Sequence, residues 1–111
     1  MKKFNLKLSA GDDDAIMAAL DLLQALGMED SDEQAEYNDS LIDLVAVKLN
    51  AKNGVFTADE ARIICAAVCA ARYVLSGQIP ADPEEKQFLS PYMFHYNRLW
   101  PQLRPLSDML Q

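Results

Sequence analysis

The sequence predicts a mostly α-helical fold: a single-domain bundle of four to five helices around a central apolar helix at 58–76, with a short β-strand near the N-terminus. Three observations predict it. Segment 58–76 has fourteen apolar residues among nineteen, which leaves almost no face for water and marks an interior helix. Two earlier stretches repeat apolar residues every three or four positions and end at glycine, the pattern of amphipathic helices with left-handed stops. The 111 residues, half of them apolar, form one domain, 1–111, able to bury roughly two thirds of the surface the unfolded chain exposes.

At the N-terminus, Phe4, Leu6 and Leu8 alternate with Asn5 and Lys7, the period of a strand over 3–9 with one apolar face. A lone strand needs a second edge. The candidates are Gly54-Val55-Phe56, Gln78-Ile79, or the same strand in a second copy of the chain. Ser9 to Asp14 then reads as a helix entrance, with Ser9 or Asp12 as cap and three carboxylates where the helix dipole favours negative charge. Helix one runs to Leu26, burying Ile16, Leu20, Leu23 and Leu26, and Gly27 stops it.

An acidic connection from Met28 to Gln34 leads into helix two near Ala35. Its expected inward residues are Tyr37, Leu41, Leu44, Val45 and Leu49, with Asn38, Asp39, Asp43 and Lys48 outward, and Asn53-Gly54 ends it. Thr57-Ala58-Asp59-Glu60 is a capping box for helix three, which Gly77 terminates. Asp82-Pro83-Glu84-Glu85 starts a fourth helix, Ser90-Pro91 starts a fifth that runs to about Trp100, and Pro101 and Pro105 are expected to break the chain, leaving 101–111 as a short amphipathic turn or a frayed tail.

The charge is lopsided. Eleven acids and no Lys or Arg lie between Asp12 and Asp43, so that segment carries −11 within a net charge of −7. Such a field attracts a basic protein surface and repels phosphate and anionic lipid, so neither nucleic acid nor membrane is the expected partner. The longest run without charge or strong polarity, 63–71, is too short to span a bilayer. Lys7 and Asp12-Asp13-Asp14 interrupt what would be the apolar core of a secretion signal, and the two Cys read as reduced thiols, so a cytoplasmic location is expected.

Cys65 and Cys69 share a helical face and could offer two thiolates to zinc, or a nucleophile with His95, the sole histidine, as base. The zinc reading lacks two further ligands, and neither thiol sits at a helix N-terminus, so both Cys are read as small core residues. A calcium loop started at Asp30 fails: its sixth position is Ala35 where Gly is needed, and its twelfth is Leu41 where Glu is needed. No catalytic residue, cofactor or metal site is assigned, and the chain is not read as an enzyme. Five of the nine aromatics fall within 88–100, with Arg98 beside Trp100, a composition that serves equally for closing a core or for a binding surface.

The alternating N-terminal strand, the helix after it, Leu26-Gly27-Met28 and the second helix resemble the ribbon-helix-helix family of dimeric repressors and antitoxins. That resemblance covers the first 50 residues. It implies a homodimer through paired N-terminal strands, with Lys3, Asn5 and Lys7 against the major groove. The sequence departs from the family where its second helix should start against a phosphate, because Glu29, Asp30, Asp32, Glu33 and Glu36 surround that point.

The expectation is therefore a small acidic interaction, regulatory or accessory module with a basic protein partner. A ribbon-helix-helix-like DNA regulator or antitoxin is the alternative, and a small-ligand protein or enzyme without a recognisable motif is the second. Candidate partner-binding residues are Asp30, Asp32, Glu33, Glu36, Tyr92, Tyr96, Arg98 and Trp100.

Overall fold

A computed structural model describes residues 3–27 and 31–110, with side chains to Pro105. The element order is β1 (Lys3–Asn5), α1 (Asp12–Leu26), α2 (Asp32–Asn50), β2 (Val55–Thr57), α3 (Ala58–Ser76), α4 (Pro83–Leu89), a 3-10 turn at Ser90–Tyr92, and α5 (Met93–Leu110). The mostly helical bundle is as the sequence predicts, and α3 is its post, packed against α1, α2, α4 and α5. Ala61, Ile64, Ala67, Val68, Ala71 and Val74 have no exposed surface. Four of the ten buried positions in α3 are alanines, and their small side chains let the neighbouring helices approach closely.

Both ends of α3 follow the sequence. The Thr57 hydroxyl accepts from the Glu60 N–H at 3.2 Å, and a Glu60 carboxylate oxygen accepts from the Thr57 N–H at 2.8 Å. Gly77 leaves the helix at φ +85°. That capping box has a second duty: Glu60 is buried and also takes Lys48 Nζ from α2 at 2.5 Å, so one carboxylate caps α3 and pins α2 to it.

β1 finds its partner inside the chain. It pairs antiparallel with β2, Phe4 opposite Phe56, and both rings are buried. The strand is shorter than the predicted 3–9, and one bond continues its register beyond Asn5: Leu6 N–H donates to Gly54 O at 2.8 Å. A Cβ at Gly54 would lie 2.4 Å from Leu6 O, so this close approach admits only glycine.

Several boundaries and faces differ from expectation. The cap of α1 is Gly11 at φ +90°, while Asp12 is its first helical residue and Ser9 precedes it. Leu22 is buried and Leu23 and Leu26 only half-buried, because Ala15, Ile16, Ala19 and Leu22 set the face toward α3. Helix α2 begins three residues early, at Asp32, because the Ser31 hydroxyl caps it by accepting from Gln34 N–H at 3.1 Å. Its inward face is Leu41, Ile42, Val45 and Leu49, which turns Tyr37 and Leu44 outward to 47% and 54% exposure. Its stop falls at Ala51 and Lys52, the latter at φ +57°, ahead of the expected Asn53-Gly54.

The largest correction is at the C-terminus. Neither Pro101 nor Pro105 ends α5, which begins at Met93 after the 3-10 turn and continues to Leu110. Each proline removes one amide donor and costs helix stability. Both lie four apart on the exposed side, while Leu99 and Leu103 have no exposed surface on the other. Gln102 adds a clasp, its side chain accepting from Lys7 N–H at 2.8 Å and donating to Lys7 O at 3.0 Å. Tertiary burial overrides the local breaker.

Candidate partner-binding surface

Sequence and packing together divide the predicted site residues into two sets. Asp32, Glu33 and Glu36 lie on α2 and are exposed, as are Asp39 and Asp43 of the same helix. Asp30 lies outside the described residues. None of the five α2 carboxylates has an ion-pair partner among the described residues; Asp39 accepts one hydrogen bond, from Gln24 Nε2 at 3.0 Å. The only base in α2, Lys48, is engaged by Glu60. The helix thus presents a negative field to solvent that nothing in the described chain neutralises.

The aromatic and basic candidates have internal work. Tyr96 has no exposed surface and its hydroxyl donates to Ala15 O at 2.7 Å, joining α5 to α1. Burial pushes that phenol up from its ordinary range. Tyr92 is half-buried, edge-on to Phe88 and tilted against Tyr96 with centroids 6.4 Å apart in each case. Trp100 is half-buried beneath the Arg72 guanidinium, 4.8 Å from the ring centroid, a cation–π contact between α5 and α3. These residues close the core, and the exposed apolar surface of this region belongs to Phe88, Met93 and Phe94. A groove of about 270 Å³ runs between α3 and α5, lined by Tyr73, Leu75, Met93 and Asn97 among others.

Arg98 faces inward to Asp12, the buried member of the Asp12-Asp13-Asp14 run. The Asp12 carboxylate accepts from Arg98 Nη2, from Ser9 N–H at 2.6 Å and pairs with His95 Nδ1 at 2.8 Å. Burial alone would raise its pKa, but these hydrogen bonds outweigh it and hold the carboxyl below its usual range. The His95 ring lies over Gly11, so closely that a Cβ there would be 2.8 Å from Cε1. Sequence reasoning placed Asp12 at a helix entrance and did not see this cluster, since no local signal joins residues 83 positions apart. Its composition, one carboxylate held by a guanidinium and an imidazole, anchors α1 to α5.

The thiols have different neighbours from His95. Cys65 is buried, and its Sγ donates to Leu103 O at 3.5 Å. Burial pushes this thiol up to about 11. Cys69 is half-buried. No group of three or more His, Cys, Asp or Glu suited to a metal ion occurs among the described residues, and no described helix is long and apolar enough to cross a membrane. Comparison with protein-family models, curated proteins and solved structures finds no match, so the candidate surface rests on its own chemistry.

Proposed function

We propose that the protein is a small cytoplasmic, non-catalytic interaction module of regulatory or accessory type, whose α2 surface recognises a basic surface on another protein. The single observation that carries this reading is the set of five exposed carboxylates on α2, Asp32, Glu33, Glu36, Asp39 and Asp43, none with an ion-pair partner among the described residues. Scattered surface acids are ordinary and serve solubility. Here they share one helix, whose lone base is tied down elsewhere, and such a field steers cationic partners and excludes phosphate.

The test is affinity capture at low and high salt, with the native chain and with a variant carrying Asp32→Asn, Glu33→Gln, Glu36→Gln, Asp39→Asn and Asp43→Asn together. A basic partner held at low salt should be released at high salt and should not be held by the variant. A partner set indifferent to both salt and the substitutions overturns the reading.

A further inference from the structure

The outward face of α2 also carries apolar side chains in a row. Tyr37, Leu44 and Val47 are 47%, 54% and 67% exposed. With the exposed Ser40 and Ala51 they occupy positions i, i+3, i+7, i+10 and i+14. At 1.5 Å per residue the row is about 21 Å long, and it points away from Leu41, Ile42, Val45 and Leu49, which face the core. One exposed leucine needs no explanation, but apolar residues at a 3.5-residue repeat form the seam against which a second helix packs. Tyr37 is already fixed for such a role, because its hydroxyl donates to Asp59 at 2.6 Å. Its ring would be ordered before any partner arrives, which lowers the entropic cost of docking.

The charges beside the row define the occupant. Glu36 and Asp43, seven residues apart, border it on one side and have no ion-pair partner among the described residues; Lys48, on the other side, is held by Glu60. We propose that this row seats a basic amphipathic helix of another protein. Apolar side chains of that helix at three- and four-residue spacing would cover Tyr37, Leu44 and Val47, and its Lys or Arg residues would run along the edge facing Glu36 and Asp43. A second copy of the chain is the wrong occupant on charge, since its own row is bordered by the same acids and like charges would meet. The proposal rests on the functional reading above and names the element that α2 recognises.

Two peptides of about 21 residues, built from the same Leu, Ala and Lys content, provide the test. One places its leucines at heptad spacing on a single face; the other distributes them around the helix. The native chain should bind the patterned peptide at least about tenfold more tightly than its isomer. Leu44→Ser with Val47→Ser should abolish that preference, and Glu36→Gln with Asp43→Asn should weaken both peptides. Circular dichroism confirms that each variant is folded, and Val47→Ser alone, at the most exposed position, serves if the double variant is not. Equal binding of the two peptides, or a preference that survives loss of Leu44 and Val47, overturns the helix seat while leaving the acidic-surface reading standing. No binding of either peptide at low salt overturns both. Self-association that the Leu44 and Val47 substitutions abolish makes a second copy the occupant and also overturns the proposal.

Discussion

His95 Nδ1 lies 2.8 Å from Asp12 Oδ1, so the first residue of α1 is held by a ring 83 positions later in α5. Arg98 donates to the same oxygen one helical turn further on. A carboxylate with no exposed surface is stable only while these donors are present. Asp12→Ala should destabilise the fold by about 3–5 kcal/mol, and Asp12→Asn by about 1–3 kcal/mol. Urea melts measure both. Arg98→Gln in the Asp12→Asn background should cost less than in the native chain, since the partner is already lost.

Stability should fall in acid over a definable window. Asp12 and Glu60 both have folded-state pKa values below their ordinary 3.8 and 4.5, because hydrogen bonds to the ionised form outweigh the burial that opposes them. The unfolded chain therefore binds protons first as pH drops. The stability these groups contribute is complete above about pH 5 and is lost as pH falls through the lowered values. Melting temperature against pH checks this, and Asp12→Asn should flatten the acid limb.

Gly54 should tolerate no side chain. A Cβ there would meet Leu6 O at 2.4 Å, and the neighbouring Leu6 N–H to Gly54 O bond leaves the backbone little room to move away. Gly54→Ala should cost about 1–3 kcal/mol, as overpacking does. Gly77→Ala is the contrasting case, with open space around its Cβ and only the φ of +85° against it. It should cost less.

Cys65 should resist thiol reagents. Its pKa of about 11 leaves on the order of one thiol in a thousand ionised at pH 8, and the side chain is buried. Labelling at Cys65 should then require opening of the α3–α5 contact, and its rate should rise with denaturant. Cys69, half-buried, should label first. Equal native-state rates for the two thiols would contradict the packing of α3 against α5.

Much of this architecture was legible because local chemistry and tertiary need agree. Thr57, Glu60 and Gly77 mark α3 at both ends, and its fourteen apolar residues leave it no place but the interior. Where the two disagree, the sequence misleads. Pro101 and Pro105 are local breakers, yet Leu99, Leu103 and the Gln102–Lys7 clasp hold α5 together around them. Tyr37 and Leu44 satisfy a helical apolar stripe as well as Ile42 does, and periodicity alone could not say which stripe faces α3 and which faces solvent. The acidity of α2 could be counted in advance. That its carboxylates find no ion-pair partner among the described residues could not, because pairing depends on which cations the fold brings near, and it takes Lys52 to Asp13 and Arg98 to Asp12 instead.

The Arg72–Trp100 contact gives the molecule an optical gauge of its own. Trp100 is the chain's one indole, and it reports on the seam between α3 and α5. Loss of that seam during denaturation should change its emission, whereas a ligand settling on the outward face of α2 should leave the Arg72–Trp100 contact in place. Fluorescence can thereby distinguish a variant that has lost its grip on a partner from one that has lost its shape, in a single cuvette and without a label.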